Sequence, residues 1–213
     1  MLSLSDKKEN NNCIKYMEEN KIFEKYKTFV MVGKSGCGKG KQAHFLAEKS
    51  GFVIFSTGDK FRELKKADTV LGRKVADTID NGKFMPPWFA SFLFEEAVLH
   101  LPEGEGIIFE GAGRKLPEAE LFHDVMEWLE RPYLAIELEI SDEEVMKRLL
   151  KRKEIEGRAD DTEQGITSRL EEYKKYVVPV VDFFEKKGTL LRINGEQTPE
   201  ATHEEIMRKL AEK

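Results

Sequence analysis

Cysteine is scarce in this sequence: two in 213 residues, Cys13 and Cys37, far apart along the chain. That excludes a disulfide framework and makes a reducing cytoplasm the expected setting. Long hydrophobic runs are missing too, and none approaches the roughly 18–20 apolar residues that span a bilayer. Residues 1–20 are polar and charged without an apolar centre, which excludes a secretory signal and leaves no expected membrane partner. Basic residues are not in excess. The net charge of −5 argues against a general nucleic-acid binder, although it does not forbid a basic pocket for phosphates. Internal repeats and low-complexity tracts do not occur.

What is present is the material of a soluble core. Hydrophobic residues make up 40% of the chain and charged residues 35%, enough for one domain with small inserts. Residues 1–27 read as an extension with a short helix, loosely packed on the body. Strand patterns follow at 28–32, 52–55, 106–110, 133–140 and 190–193. Between them, helical patterns fall at about 39–48, from 60, at 71–80, from 87, at 141–152, 167–186 and 199–212. Ser56 to Asp59, and Ser141 with Glu144, supply N-terminal caps. Strands alternating with helices imply a parallel sheet covered on both faces.

The first strand runs into Gly33-Lys34-Ser35-Gly36-Cys37-Gly38-Lys39, the first seven positions of a phosphate-binding loop. Glycines let several backbone N–H groups point into one concavity, and the following helix adds its positive N-terminal end. Lys39 can then reach the β- and γ-phosphates of a nucleoside triphosphate. The next residue, where Ser or Thr usually holds magnesium, is Gly40, followed by Lys41. No Asn-Lys-x-Asp guanine motif occurs downstream. Both points weaken a GTPase or ordinary ATPase reading.

From Phe29 to about Leu210 the chain resembles the adenylate kinases, nucleoside monophosphate kinases with a short lid. The motifs carrying the resemblance are Gly-Lys-Gly at 38–40, Ser56-Thr57-Gly58-Asp59-Lys60-Phe61-Arg62, Leu71 to Lys74, Asp80 to Lys83, Glu110-Gly111-Ala112-Gly113-Arg114, and the arginines of 148–169. The resemblance implies a P-loop α/β/α fold over 28–213, with a central parallel five-stranded sheet. It also implies a helical acceptor insert at about 57–88 and a short lid at about 152–160. Gly33, Gly36, Cys37, Gly38, Lys39, Gly40, Lys41 and Arg148 then hold ATP, with Arg148 stacked on the donor base. Thr57, Arg62, Lys83, Met85, Gly111, Arg114 and Glu118 face the monophosphate. Lys39, Arg114, Arg152, Arg158 and Arg169 serve phosphoryl transfer, while Asp160 and Asp161 position the lid.

Magnesium is expected with ATP, and Glu110 would hold it through water. The long lid with four zinc-binding cysteines is missing, so no structural zinc is expected. A monomer follows from the same resemblance. The departures are Lys41 for Thr, Glu110 for Asp, Ala112-Gly113 for Phe-Pro, and Glu118 for a base-reading Gln. An ionised carboxylate only accepts hydrogen bonds. The resemblance and Thr57 put AMP first as acceptor, giving two ADP; Glu118 suits adenine poorly and leaves GMP, IMP, UMP or CMP open, or else it points to solvent and reads nothing. The changes at 41, 112 and 113 keep open a nucleotide-binding protein without catalysis.

Overall fold

A computed structural model describes residues 21–156 and 161–213. In chain order the elements begin with β1 (Thr28–Gly33), α1 (Lys39–Ser50), β2 (Val53–Ser56), α2 (Thr57–Lys65) and α3 (Val70–Asp80). They continue with α4 (Pro87–Leu99), β3 (Ile107–Glu110), α5 (Leu116–Trp128), β4 (Tyr133–Glu139) and α6 (Asp142–Glu156). The last are α7 (Glu163–Glu172), a π turn (Tyr173–Val177), α8 (Val178–Lys186), β5 (Leu190–Asn194) and α9 (Pro199–Ala211).

The burial of β1 shows why the layers form. Phe29 and Met31 enter one core and Val30 and Val32 the other, all of them buried. A strand apolar on both faces must be covered on both. α1, α6 and α9 cover the first face with Ala43, Leu46, Leu149, Ile206 and Leu210. α4, α5 and α8 cover the second with Phe94, Phe122 and Phe184. A third, smaller core of Phe61, Val75, Met85, Phe89 and Leu93 ties α2 and α3 to the first half of α4. All strand pairs are parallel, in the order β2-β3-β1-β4-β5. The five-stranded α/β/α expectation thus holds.

Three local expectations need correction. Residues 21–25 are helical, and Ile22 and Phe23 are buried against Phe29 and Phe52; this part of the extension is core, not a loose attachment. α5 went unanticipated, although Ala119, Phe122 and Met126 carry its buried stripe at helical spacing. The single helix expected over 167–186 begins earlier and is interrupted by the π turn, where the Val178 N–H reaches back to the Tyr173 carbonyl. Pro179 stands in the first turn of α8, and its missing N–H accounts for the break in the regular ladder.

The α2–α3 corner depends on Gly72, where a Cβ would stand 2.0 Å from the Ala67 carbonyl oxygen and 3.0 Å from that of Leu64. Backbone cannot yield as a side chain can. Gly72→Ala should therefore destabilise the protein by about 1–3 kcal/mol, measured as a lower urea midpoint.

Candidate active site

Ligands of open parallel sheets sit beyond the carboxyl ends of the strands. Here those ends deliver Gly33 from β1, Ser56 from β2, Glu110 from β3 and Asn194 from β5. Side chains from this end line a cleft of about 770 Å³, including Gly36, Gly38, Lys39, Gly40, Arg62, Lys83, Glu110, Arg114, Arg148, Arg152 and Arg169. That volume suits a pair of small ligands, and seven of the named residues are cationic.

The glycine loop is tightly seated. Gly33, Gly36 and Gly38 all have positive φ, at 137°, 79° and 103°, a region that side chains disfavour. A Cβ on Gly33 would come 2.8 Å from Cys37 Sγ and 2.9 Å from the Leu138 carbonyl; one on Gly36 would strike Leu149 at 2.7 Å. No side chain caps α1, whose N-cap is Gly38, so its first turn is open to an anion. Lys39 curls over the loop, and its ammonium donates to the carbonyls of Gly33 (2.8 Å) and Lys34 (2.7 Å). Cys37 is buried, its Sγ 3.7 Å from Lys39 Nζ. Lys34 turns away to the Ile140 carbonyl (2.6 Å) and Asp142 (2.6 Å), fastening the loop to the start of α6. Lys41 lies at the rim, 3.6 Å from Glu200 and over the Phe45 ring.

The carboxylate of Glu110 stands over Gly40. A Cβ there would lie 3.4 Å from both carboxylate oxygens of Glu110. That is ordinary contact distance, so the acid and the loop are close-packed without a clash.

On the opposite wall, Ser56 accepts from the Asp59 N–H and caps α2 (3.2 Å), and Thr57 donates to the Glu110 carbonyl (3.2 Å). Arg62 pairs with Asp59 along the same helix. Gly111, at φ 91°, lets Arg114 and Thr57 close over it; a Cβ there would meet each at 2.5 Å. Arg114 lies over the Phe84 ring at 5.4 Å. Burial lowers the Arg114 pKa, against the upward pull of Glu110 and Glu118. Met85 is buried in the small core and Lys83 is exposed on the cleft wall.

Glu118 neither points to solvent nor lines the cleft wall beside Arg62 and Lys83. It is buried, and its Oε2 accepts the Arg114 N–H at 2.9 Å, holding the turn ahead of α5 as the glutamate of a capping box does. Burial pushes its carboxyl above the usual glutamate value, although bonds and charges from Arg114 and Lys115 oppose the shift.

Arg148 donates to Glu144 (2.8 Å) and to the Gly195 carbonyl (3.0 Å), bridging α6 and the turn after β5. Arg152 grips Asp161 with two bonds, 2.7 and 2.8 Å, and Arg169 reaches the same carboxylate at 2.7 Å. Asp161 is fully buried. Burial alone would raise its pKa, but the hydrogen bonds from the two arginines outweigh it and the net shift is downward. Arg158 and Asp160 lie outside the described residues.

Several neighbours carried no motif in the sequence. Lys115 donates to the Met85 carbonyl (3.2 Å) and lies over the Tyr176 ring. Glu172 accepts the Phe84 N–H (3.3 Å), joining α7 to the insert. Tyr173 donates to buried Glu137 (3.1 Å), and Lys174 pairs with Asp142 (2.7 Å), so the π turn is pinned to β4 and α6. The Lys115–Met85 bond spans 30 positions. The others depend on residues roughly 30 or more positions apart in the chain.

An open glycine loop under a lysine, a facing arginine pair and an arginine cluster gathered on Asp161 define a P-loop phosphotransferase acting on two nucleotides. Comparison with known proteins agrees. The sequence model of the adenylate kinase family matches residues 31–189. An adenylate kinase of Maricaulis maris is 38% identical over 78% of this chain and 89% of its own length. One of Thermus thermophilus is 34% identical, over 83% and 93% of the two chains, and one of Flavobacterium johnsoniae 35%, over 83% and 94%. The chain belongs to the adenylate kinase family and is an ATP-dependent nucleoside monophosphate kinase. No helix among the described residues is long and apolar enough to cross a membrane.

Glu118 sets a pH dependence. An acid whose pKa is raised on folding contributes stability that is full below its unfolded value, near 4.5, and lost as pH rises through the folded value. Glu118→Gln keeps an acceptor for the Arg114 N–H without the titration. The variant should melt above the wild type at neutral pH, with the gap closing towards pH 4.5 in thermal melts across pH.

Proposed function

We propose that the cleft transfers the γ-phosphoryl group of ATP to AMP, reversibly giving two ADP, with the glycine loop as donor site and residues 57–88 as the acceptor insert. The observation carrying this reading is the placement of Arg62 and Arg114 across the cleft from Lys39 and the open end of α1. One oxygen of the acceptor phosphate attacks the γ-phosphorus in line. The new P–O bond forms as the bond to the donor's bridging oxygen breaks. The attacking oxygen is already anionic, so no general base is needed.

The loop amides and Lys39 hold the triphosphate, Lys39 exchanging its two carbonyl partners for phosphate oxygens. Gly36, Cys37, Gly38 and Gly40 contribute backbone, and Lys41 adds charge at the rim. Arg148 lies against the donor base beside Gly195. Thr57, Lys83, Met85 and Gly111 shape the acceptor side, and Glu118 acts there by holding the loop that carries Arg114. Arg114 is a planar donor fork already desolvated and backed by Phe84, so it suits an acceptor phosphate. Arg152 and Arg169, with Arg158, neutralise the migrating group when the lid at about 152–160 closes.

Magnesium fits beside Glu110. The two hard oxygens stand over Gly40 at the mouth of the loop, the donor type this ion prefers, usually with waters kept between. When bound, it would spread the negative charge of the triphosphate. The family resemblance favours a monomer, and the low cysteine content supports the cytoplasm.

Arg114→Ala should lower the turnover of AMP by about 10²–10³-fold while leaving ATP binding nearly unchanged, checked by coupled ADP assay and ATP titration. The acceptor itself is tested by offering AMP, GMP, IMP, CMP and UMP separately with ATP and magnesium. AMP should dominate for both the wild type and Glu118→Gln. A different preferred base in the wild type that reverts to AMP in Glu118→Gln would make Glu118 the specificity residue and overturn its role as a loop support.

A further inference from the structure

The outer face of α4 and α5 has a composition unlike the rest of the surface. Trp88, Phe92 and Leu99 are exposed on α4, and Leu121 and Trp128 on α5. On α4 the spacing of four and seven residues puts its three on one stripe. On α5, Leu121 and Trp128 are also seven apart. The two stripes adjoin. The helices pack together through Phe94 and Phe122, 5.3 Å apart. His123, on the far edge of α5, packs on Phe183 of α8 at 5.8 Å, which leaves the Leu121–Trp128 edge turned towards α4. On α4, Phe89 and Leu93 are committed to the insert core, and the exposed stripe lies on the opposite, solvent side.

Such aromatic exposure marks an interaction site. The charges around it say what it fits. Neither α4 nor α5 contains a lysine or arginine, although the chain carries 35 in 213 residues. Their exposed or half-exposed charged residues are Glu95, Glu96, Glu120, Asp124 and Glu127, all acidic. Two copies meeting through this face would set like charges against each other. An anionic lipid surface would be repelled in the same way.

We propose that this face docks a basic, amphipathic helical segment of a partner protein. The partner's apolar stripe covers the Trp88–Phe92–Leu99 and Leu121–Trp128 ridges, and its lysines or arginines meet the flanking carboxylates. The face is separate from the cleft, and the proposal does not depend on the acceptor assignment.

The chain has two tryptophans, and both stand on this face, 72% and 77% exposed. Their emission therefore reports docking directly. The full-length protein is titrated with a synthetic 18-residue leucine–lysine helix, and with the same helix carrying glutamate for lysine. The expected result is a saturable blue shift and acrylamide protection with the lysine helix alone, weakened by salt. The double variant Phe92→Ser/Leu121→Ser should lose at least tenfold in affinity while keeping wild-type ADP formation. Glu95→Lys/Glu120→Lys, which leaves the apolar stripe intact, should weaken binding as well. Absence of a shift, an equal shift with the glutamate helix, or unchanged binding by both variants would overturn the proposal. So would wild-type dimerisation abolished by Phe92→Ser/Leu121→Ser, or an equal shift on neutral phosphatidylcholine vesicles.

Discussion

The confinement of the glycine loop is the constraint on which the rest of the site depends. Gly33 is wedged between Cys37 and the backbone of Leu138 on β4, and Gly36 against Leu149 on α6. Side chains at these points would push the loop off both elements. Because the loop is packed on β4 and α6, its amides and Lys39 keep a fixed relation to the arginines that α6 carries. Lys34 strengthens that relation through Ile140 and Asp142. A residue that would read as one more phosphate ligand serves as a fastener.

The arginine cluster and the π turn are organised around two buried acids. Asp161 gathers Arg152 and Arg169 from different helices. A buried carboxylate with two guanidinium partners is well compensated, whereas any member left alone would be costly to bury. Glu137 does similar work lower down, taking a bond from Tyr173 and an ion pair from Arg192. Between them lies the π turn, a wider and less regular backbone ladder than its neighbours. The irregular turn is thus anchored on both sides, to β4 through Tyr173 and to α6 through Lys174.

The cleft wall around Glu110 and Arg114 shows how substitutions change the division of labour. Glu110 keeps its carboxylate over Gly40 at contact distance despite the added methylene. Glu118 is committed to the Arg114 N–H, so a residue that reads in the sequence as a specificity change acts as a support for the arginine loop. Lys115 fills in next to it, bonded to Met85 across the gap between α5 and the insert.

The sequence by itself determined the class of fold, the phosphate loop and the main cations. Those features are local: a glycine pattern between a strand and a helix, arginines four residues apart on a helix, alternation of strand and helix. Local backbone preference and side-chain periodicity suffice to make them legible. The core role of Ile22 and Phe23, the α5 stripe and the break before Pro179 were also written there, but weakly, since short apolar stripes compete with many equivalent readings. Only the tertiary structure decided that Lys34 leaves the phosphate path, that Glu118 turns to Arg114, that Glu110 stands over Gly40, and that the exposed residues of α4 and α5 share one face. Each of these is a pairing or adjacency set by which helix packs where. A charged side chain takes its role from the partner that packing brings within about 3 Å, and that partner is not encoded in the residue's own neighbourhood.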